Sequence, residues 1–137
     1  MKQSLQPGVS RTIRILIDRD RTISFMGDEG RVYATPRLVS DVEYTCRDLI
    51  LEHTEPGEDS VGTEVALKHQ APALLGSTVE ISVRVVAVDG RKVLLAASVR
   101  DEIDEISSGT HSRFVVDIAR TKERLKAKAS KLAAKTA

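Results

Sequence analysis

Three residues of this 137-residue chain have types and spacing that could act together on a carbonyl group: Thr35, Glu43 and His69. Residues 35–53 repeat with helical period, and Leu38, Val39, Val42, Cys46, Leu49 and Ile50 share one arc at about 100° per residue. Ser40, Asp41, Tyr44, Arg47, Asp48 and Glu52 take the other side. Thr35 stands where an N-cap hydroxyl would accept an orphan backbone N–H, with Pro36 at the first helical position. Glu43 breaks the pattern. It projects at the edge of the apolar arc, where a carboxylate is partly desolvated unless something pairs with it. His69 falls on the apolar side of a later strand, together with Val61, Thr63, Val65, Leu67 and Ala71, leaving Gly62 and Glu64 on the other side. If that strand packs on the helix, an imidazole, a carboxylate, a hydroxyl and a helix N-terminus face one interior. Such a set can attack an acyl carbonyl and stabilise the charge that develops. Each member alone has a plainer reading: a simple cap, a snorkelling Glu, a satisfied structural His.

The remaining candidates suggest less chemistry. Cys46 lies mid-arc and reads as a small core residue, with nothing beside it to activate a thiol. His53 ends the helix, where it would complement the dipole. Arg113 shares a strand side with His111 and Val115, and in a cleft it could pair with a carboxylate or phosphate. No His, Cys or carboxylate spacing reads as a metal site, and the glycines form no phosphate loop.

The elements that must position these residues follow from alternation and punctuation. Residues 1–10 are polar and read as a loose arm. Residues 11–17 alternate as a strand, a turn follows at 18–21, then a short apolar piece at 23–26 and a flexible approach at 27–30. After the helix, Glu55-Pro-Gly-Glu-Asp is a break, and residues 61–71 form a second strand. Residues 78–88 and 92–100 flank Asp89-Gly90, a hairpin signature, and an acidic turn at 101–104 leads to a strand at 105–117. One long helix and about five antiparallel strands make two layers, with the curved sheet wrapping the helix, which is an α+β hot-dog fold. Residues 1–118 are expected to form that single domain, and residues 119–137 a basic helical tail. A small sheet with exposed edges favours pairing with a second copy.

Composition narrows the function classes. Two Tyr, two Phe and no Trp argue against reading nucleic acid by base stacking. A single cysteine excludes an intramolecular disulfide and fits a reducing cytoplasm. No apolar run approaches the roughly 20 residues of a membrane span, and the first residues lack a signal-peptide core. The net charge of +1 conceals a division. From Ala119 onward there are seven Lys/Arg and one Glu, leaving 14 basic and 19 acidic side chains before it.

Five stretches resemble the family of fluoroacetyl-coenzyme A thioesterases: Val32-Tyr-Ala-Thr-Pro, Glu43-Tyr-Thr-Cys, Glu55-Pro-Gly-Glu-Asp-Ser-Val-Gly-Thr, Lys68-His-Gln-Ala-Pro-Ala-Leu-Leu-Gly and Asp104-Glu-Ile-Ser-Ser-Gly-Thr-His-Ser-Arg. The resemblance implies hydrolysis of an acyl-coenzyme A thioester, with Thr35, Glu43 and His69 as the catalytic set and Gly62 and Arg113 as substrate contacts. It implies coenzyme A only as part of the substrate, no metal or redox cofactor, and a homodimer or higher oligomer with sites near the subunit interface. The family's fluoroacetyl-specific enzyme has aromatic lid residues just before the Val-x-Ala-Thr run. Here Met26-Gly-Asp-Glu-Gly-Arg has none, so fluoroacetyl-coenzyme A is not assigned and a small acyl group is expected. The rival reading is a non-catalytic acyl-coenzyme A binding module using Gly62 and Arg113. A hydratase is disfavoured because no Asp-x-Asn-Pro-x-His-like element is present.

Overall fold

The computed structural model describes residues 1–136; Ala137, the last residue of the expected tail helix, lies outside them. Strand β1 (Ser10–Leu16) is followed by a short 3-10 turn and β2 (Thr22–Ile23). A second 3-10 turn leads to β3 (Val32–Tyr33) and the long helix α1 (Thr35–Leu51). Then come β4 (Glu58–His69), β5 (Thr78–Asp89), β6 (Lys92–Arg100), β7 (Glu105–Asp117) and α2 (Ile118–Thr136). The main sheet is antiparallel with order β1-β5-β6-β7-β4, so β1 and β4 are its edges. This is the expected hot-dog arrangement, with α1 lying against the inner sheet face.

Burial follows the periodicities. Leu38, Val42, Cys46, Leu49 and Ile50 are fully buried, facing Val79, Ile81, Val83 and Val85 of β5, Val93, Leu95 and Val99 of β6, and Ile106 and Val115 of β7. Each large aliphatic side chain withdrawn from water contributes roughly 1.5–3 kcal/mol. The Asp89-Gly90 hairpin forms as expected: Asp89 pairs with Lys92 and Gly90 has φ +60°, a region that glycine enters without Cβ strain.

Four expectations change. Strand β4 begins at Glu58, three residues early, because Glu58 and Asp59 pair with Asp117 and Val116 directly after Gly57. The approach at 27–30 is ordered as a 3-10 turn over Asp28–Gly30 between the paired β2 and β3, and Arg21 and Tyr33 at this hairpin bond Asp41 of α1. The arm is anchored: Leu5 is buried, the Lys2 N–H donates to the His53 carbonyl, and Ser4 meets the His53 ring at 2.8 Å. His53 therefore holds the arm. Finally, β4 carries a bulge between Gly62 and Glu64. It resets the alternation, so Gly62 faces inward opposite Arg113, while Val65 faces inward opposite His111.

Candidate active site

The two-stranded β2–β3 hairpin delivers the chain to the start of α1. Ala34, not Thr35, is the N-cap residue, and it makes no side-chain cap. Thr35 is already helical, so its hydroxyl is free of the backbone and reaches across to β4. Thr35 Oγ1 lies 2.7 Å from His69 Nδ1. The opposite ring nitrogen of His69, Nε2, is buried without a hydrogen-bond partner. Burial holds the His69 pKa below the ordinary imidazole value, favouring the neutral ring. The Tyr33 ring meets the imidazole edge-on, with centroids 6.5 Å apart and planes at 76°. Ile23, Val32, Tyr33, Thr35, His69 and Pro72 line an open pocket of about 270 Å³ here.

Two helical turns on, Glu43 occupies a second and larger pocket of about 750 Å³, whose walls include Pro36, Ser40, Tyr44, Gly62 and Arg113. Its carboxylate is 46% exposed and lies 3.4 Å from Arg113 NH1. The expected desolvation of Glu43 is thus met by partial exposure and a cation. Arg113, only 3% exposed, is the fixed member of this pair. Its Nε donates to Ser60 Oγ and its NH2 to the Ser60 carbonyl, both at 2.7 Å. NH1 also donates to His111 Nε2 at 3.2 Å. His111 Nδ1 in turn donates to the Glu64 carbonyl at 2.8 Å, which fixes the neutral tautomer that accepts from Arg113. Burial depresses the His111 pKa first, and the Arg113 charge adds to this. A Cβ on Gly62 would lie 3.1 Å from His111 Cε1 and 3.2 Å from Glu43 Oε1. Glycine lets the strand approach this corner closely.

The five expected site residues therefore form two groups. Thr35 joins His69, and Glu43 joins Gly62 and Arg113. No hydrogen bond links Glu43 to His69 among the described residues. Ser60 and His111 were missed as supports of Arg113. The alternation of His111, Arg113 and Val115 was the available signal, whereas the bulge that turns Ser60 inward left none. Asp41, read as part of the polar helix face, is buried and bonded to Tyr33 and Arg21. Cys46 is a core residue whose thiol pKa burial pushes up to about 12. No three His, Cys, Asp or Glu side chains gather as a metal site among the described residues.

Comparison with known proteins gives this geometry a context. The family model for the fluoroacetyl-CoA-specific thioesterase FlK matches residues 17–119, spanning both pockets. The chain belongs to this family. It is 29% identical over 135 residues to the fluoroacetyl-CoA thioesterase of Streptantibioticus cattleyicolor, covering 93% of this chain and 97% of that one. A structure of the fluoroacetyl-CoA thioesterase FlK superposes with a TM-score of 0.82 at 28% identity, covering 90% and 97% of the two chains. A variant of FlK in complex with fluoroacetate and CoA gives 0.78 at 29% identity, covering 85% and 99%. A Thermus thermophilus protein described as a thioesterase superfamily member gives 0.88 at 24% identity, covering 96% and 98%, a likeness that shows the fold alone. Membership places the chain among thioester hydrolases of the hot-dog fold.

Proposed function

We propose that this chain hydrolyses the thioester of a small acyl-coenzyme A, with Thr35, Glu43 and His69 as its reacting groups. The contact between Thr35 and His69 carries the reading, because it leaves His69 Nε2 buried and unpartnered beside an open pocket. A neutral imidazole held on one nitrogen by a hydroxyl can take a proton from, or return one to, a reacting group through the other. Glu43 activates water or attacks the carbonyl, and the half-open carboxylate beside a rigid Arg113 suits either role. Gly62 and Arg113 contact substrate in the same corner. Pro36 has no N–H and the Arg37 N–H returns to the Ala34 carbonyl, so the Thr35 N–H is the first-turn donor for a developing oxyanion. The reaction requires no metal or redox cofactor, since coenzyme A enters with the substrate.

The same reading includes a homodimer in a reducing cytoplasm, to which a single buried thiol is suited. Edge strand β4 exposes Val61 in the wall of the Glu43 pocket, and a second copy paired along that edge would close the pocket's open side. Residues 26–31, just before the Val-x-Ala-Thr run, carry no aromatic side chain, which supports an acyl group other than fluoroacetyl.

Thiol release from a series of short to long acyl-coenzyme A thioesters tests the proposal. Glu43→Gln or His69→Ala should remove hydrolysis by at least about 100-fold while leaving the melting temperature near that of wild type. Wild-type turnover in both variants would overturn the roles. Tight binding of acyl-coenzyme A by wild type without turnover would instead favour the binding module.

A further inference from the structure

Asp41 is only 8% exposed, on the side of α1 that the helical pattern assigns to water. Its Oδ2 accepts from the Tyr33 hydroxyl and, at 3.0 Å, from Arg21 Nε; its Oδ1 lies 3.4 Å from Arg21 NH2. The remaining Arg21 nitrogen, NH1, donates to Asp18 Oδ2 at 3.1 Å. Tyr33 is 1% exposed, and burial together with the Asp41 carboxylate raises its pKa, so the phenol stays a donor. Its backbone is tied too, with the Tyr33 N–H donating to the Ala73 carbonyl and the Ala34 N–H to the Arg21 carbonyl. The ring so fixed is the one standing edge-on to His69, two residues before Thr35.

As a stability device this arrangement is poor. A buried ion pair roughly breaks even against apolar packing of the same volume, because desolvation offsets the attraction. What it supplies is direction. The His69 ring has one side-chain hydrogen bond, to Thr35, beside a weaker interaction with the Ala71 backbone. The Tyr33 edge adds a constraint on the ring plane, and the Tyr33 ring is itself set by the Asp41 carboxylate.

We propose that Asp41 is a positioning residue: by holding Tyr33, it fixes the plane of the His69 imidazole against Thr35. The proposal rests on the hydrolytic reading of that pair. Tyr33→Phe and Asp41→Ala are expected to lower kcat about 10- to 100-fold, the loss typical of small misplacements near the reacting atoms. KM should stay within about twofold, since the lost interaction acts in the transition state. Asp41→Asn keeps an acceptor oxygen for the Tyr33 hydroxyl and should restore most of kcat. Imidazole nitrogen NMR shifts give a readout independent of turnover. In wild type, the His69 nitrogens should report one tautomer; in Tyr33→Phe and Asp41→Ala, they should move toward averaged values. Should Asp41→Ala fail to fold, Tyr33→Phe removes one hydroxyl, leaves the ion pair and decides the matter. Wild-type kcat and unchanged His69 shifts in Tyr33→Phe would overturn the proposal, as would an effect on KM alone. Absence of thiol release from the wild-type chain would instead count against hydrolysis, while the NMR arm still judged the positioning role.

Discussion

His111 is a histidine whose work depends on being uncharged. Its Nδ1–H is committed to the Glu64 carbonyl and its Nε2 accepts from Arg113, so an added proton would face a guanidinium. Its folded pKa is depressed, so the unfolded chain binds the extra proton first as pH falls. The stability that the neutral ring contributes is full above the unfolded value of about 6.5 and is lost as pH drops from there through the folded value. His69 is depressed by burial and adds in the same sense. Denaturant midpoints measured from pH 7.5 down to pH 5 should therefore fall, and His111→Gln should flatten part of that slope. A slope identical to wild type in the variant would count against the bonded neutral tautomer. At this scale Thr35, Glu43 and His69 stand out in the sequence as candidates because a carboxylate and an imidazole fall among apolar neighbours. The partner each one takes was not legible. That Thr35 bonds His69 instead of capping the helix depends on Ala34 being the last extended residue, a one-residue difference in where α1 begins.

Among the elements, β4 decides how the two pockets are furnished. Simple alternation from His69 backward puts Val61 and Thr63 inside and Gly62 outside, and the bulge reverses this for everything before Glu64. Ser60 can then bond Arg113, and Gly62 can lie against Glu43. Thr63 is the extra residue, since Gly62 and Glu64 already pair with the adjacent Arg113 and Ser112. Deleting Thr63 should therefore leave Ser60 and Gly62 facing inward and the buried guanidinium with its partners, whereas inserting one residue between Ser60 and Gly62 should turn Ser60 outward and cost about 3–5 kcal/mol. Thermal denaturation should show a large drop in melting temperature for the insertion only, and an insertion variant as stable as wild type would contradict the assigned facing. The regular strands and the helix could be read in advance because their periods of 2 and 3.6 persist over many residues. The bulge occupies one residue and has no periodic signature. The β2–β3 hairpin, with two residues in each strand, is likewise too short to announce itself, and so the helical pattern alone assigns Asp41, bonded by Arg21 and Tyr33 at this hairpin, to the solvent side of α1.

Over the whole molecule, the hot-dog body and α2 are almost separate objects. None of the described residues of α2 is buried, even Leu125 and Leu132 being exposed. Truncation after Ile118 should consequently shift the melting temperature by no more than about 3 °C, as expected when only surface is removed. A larger fall would mean that the tail packs on a second copy. The described helix has 19 residues and, at about 1.5 Å per residue, reaches about 28 Å from the end of β7. Seven of the chain's cations sit from Ala119 onward with one acid, while the preceding body carries an excess of five negative charges. A near-zero net charge therefore belongs to a strongly polarised particle, a negative globe with a positive handle. At low ionic strength, where the screening length is about 30 Å at 0.01 M, it should adhere to anion- and cation-exchange resins alike, and molecules should align handle to globe. Its colloidal behaviour will be governed by that electric dipole moment more than by its isoelectric point.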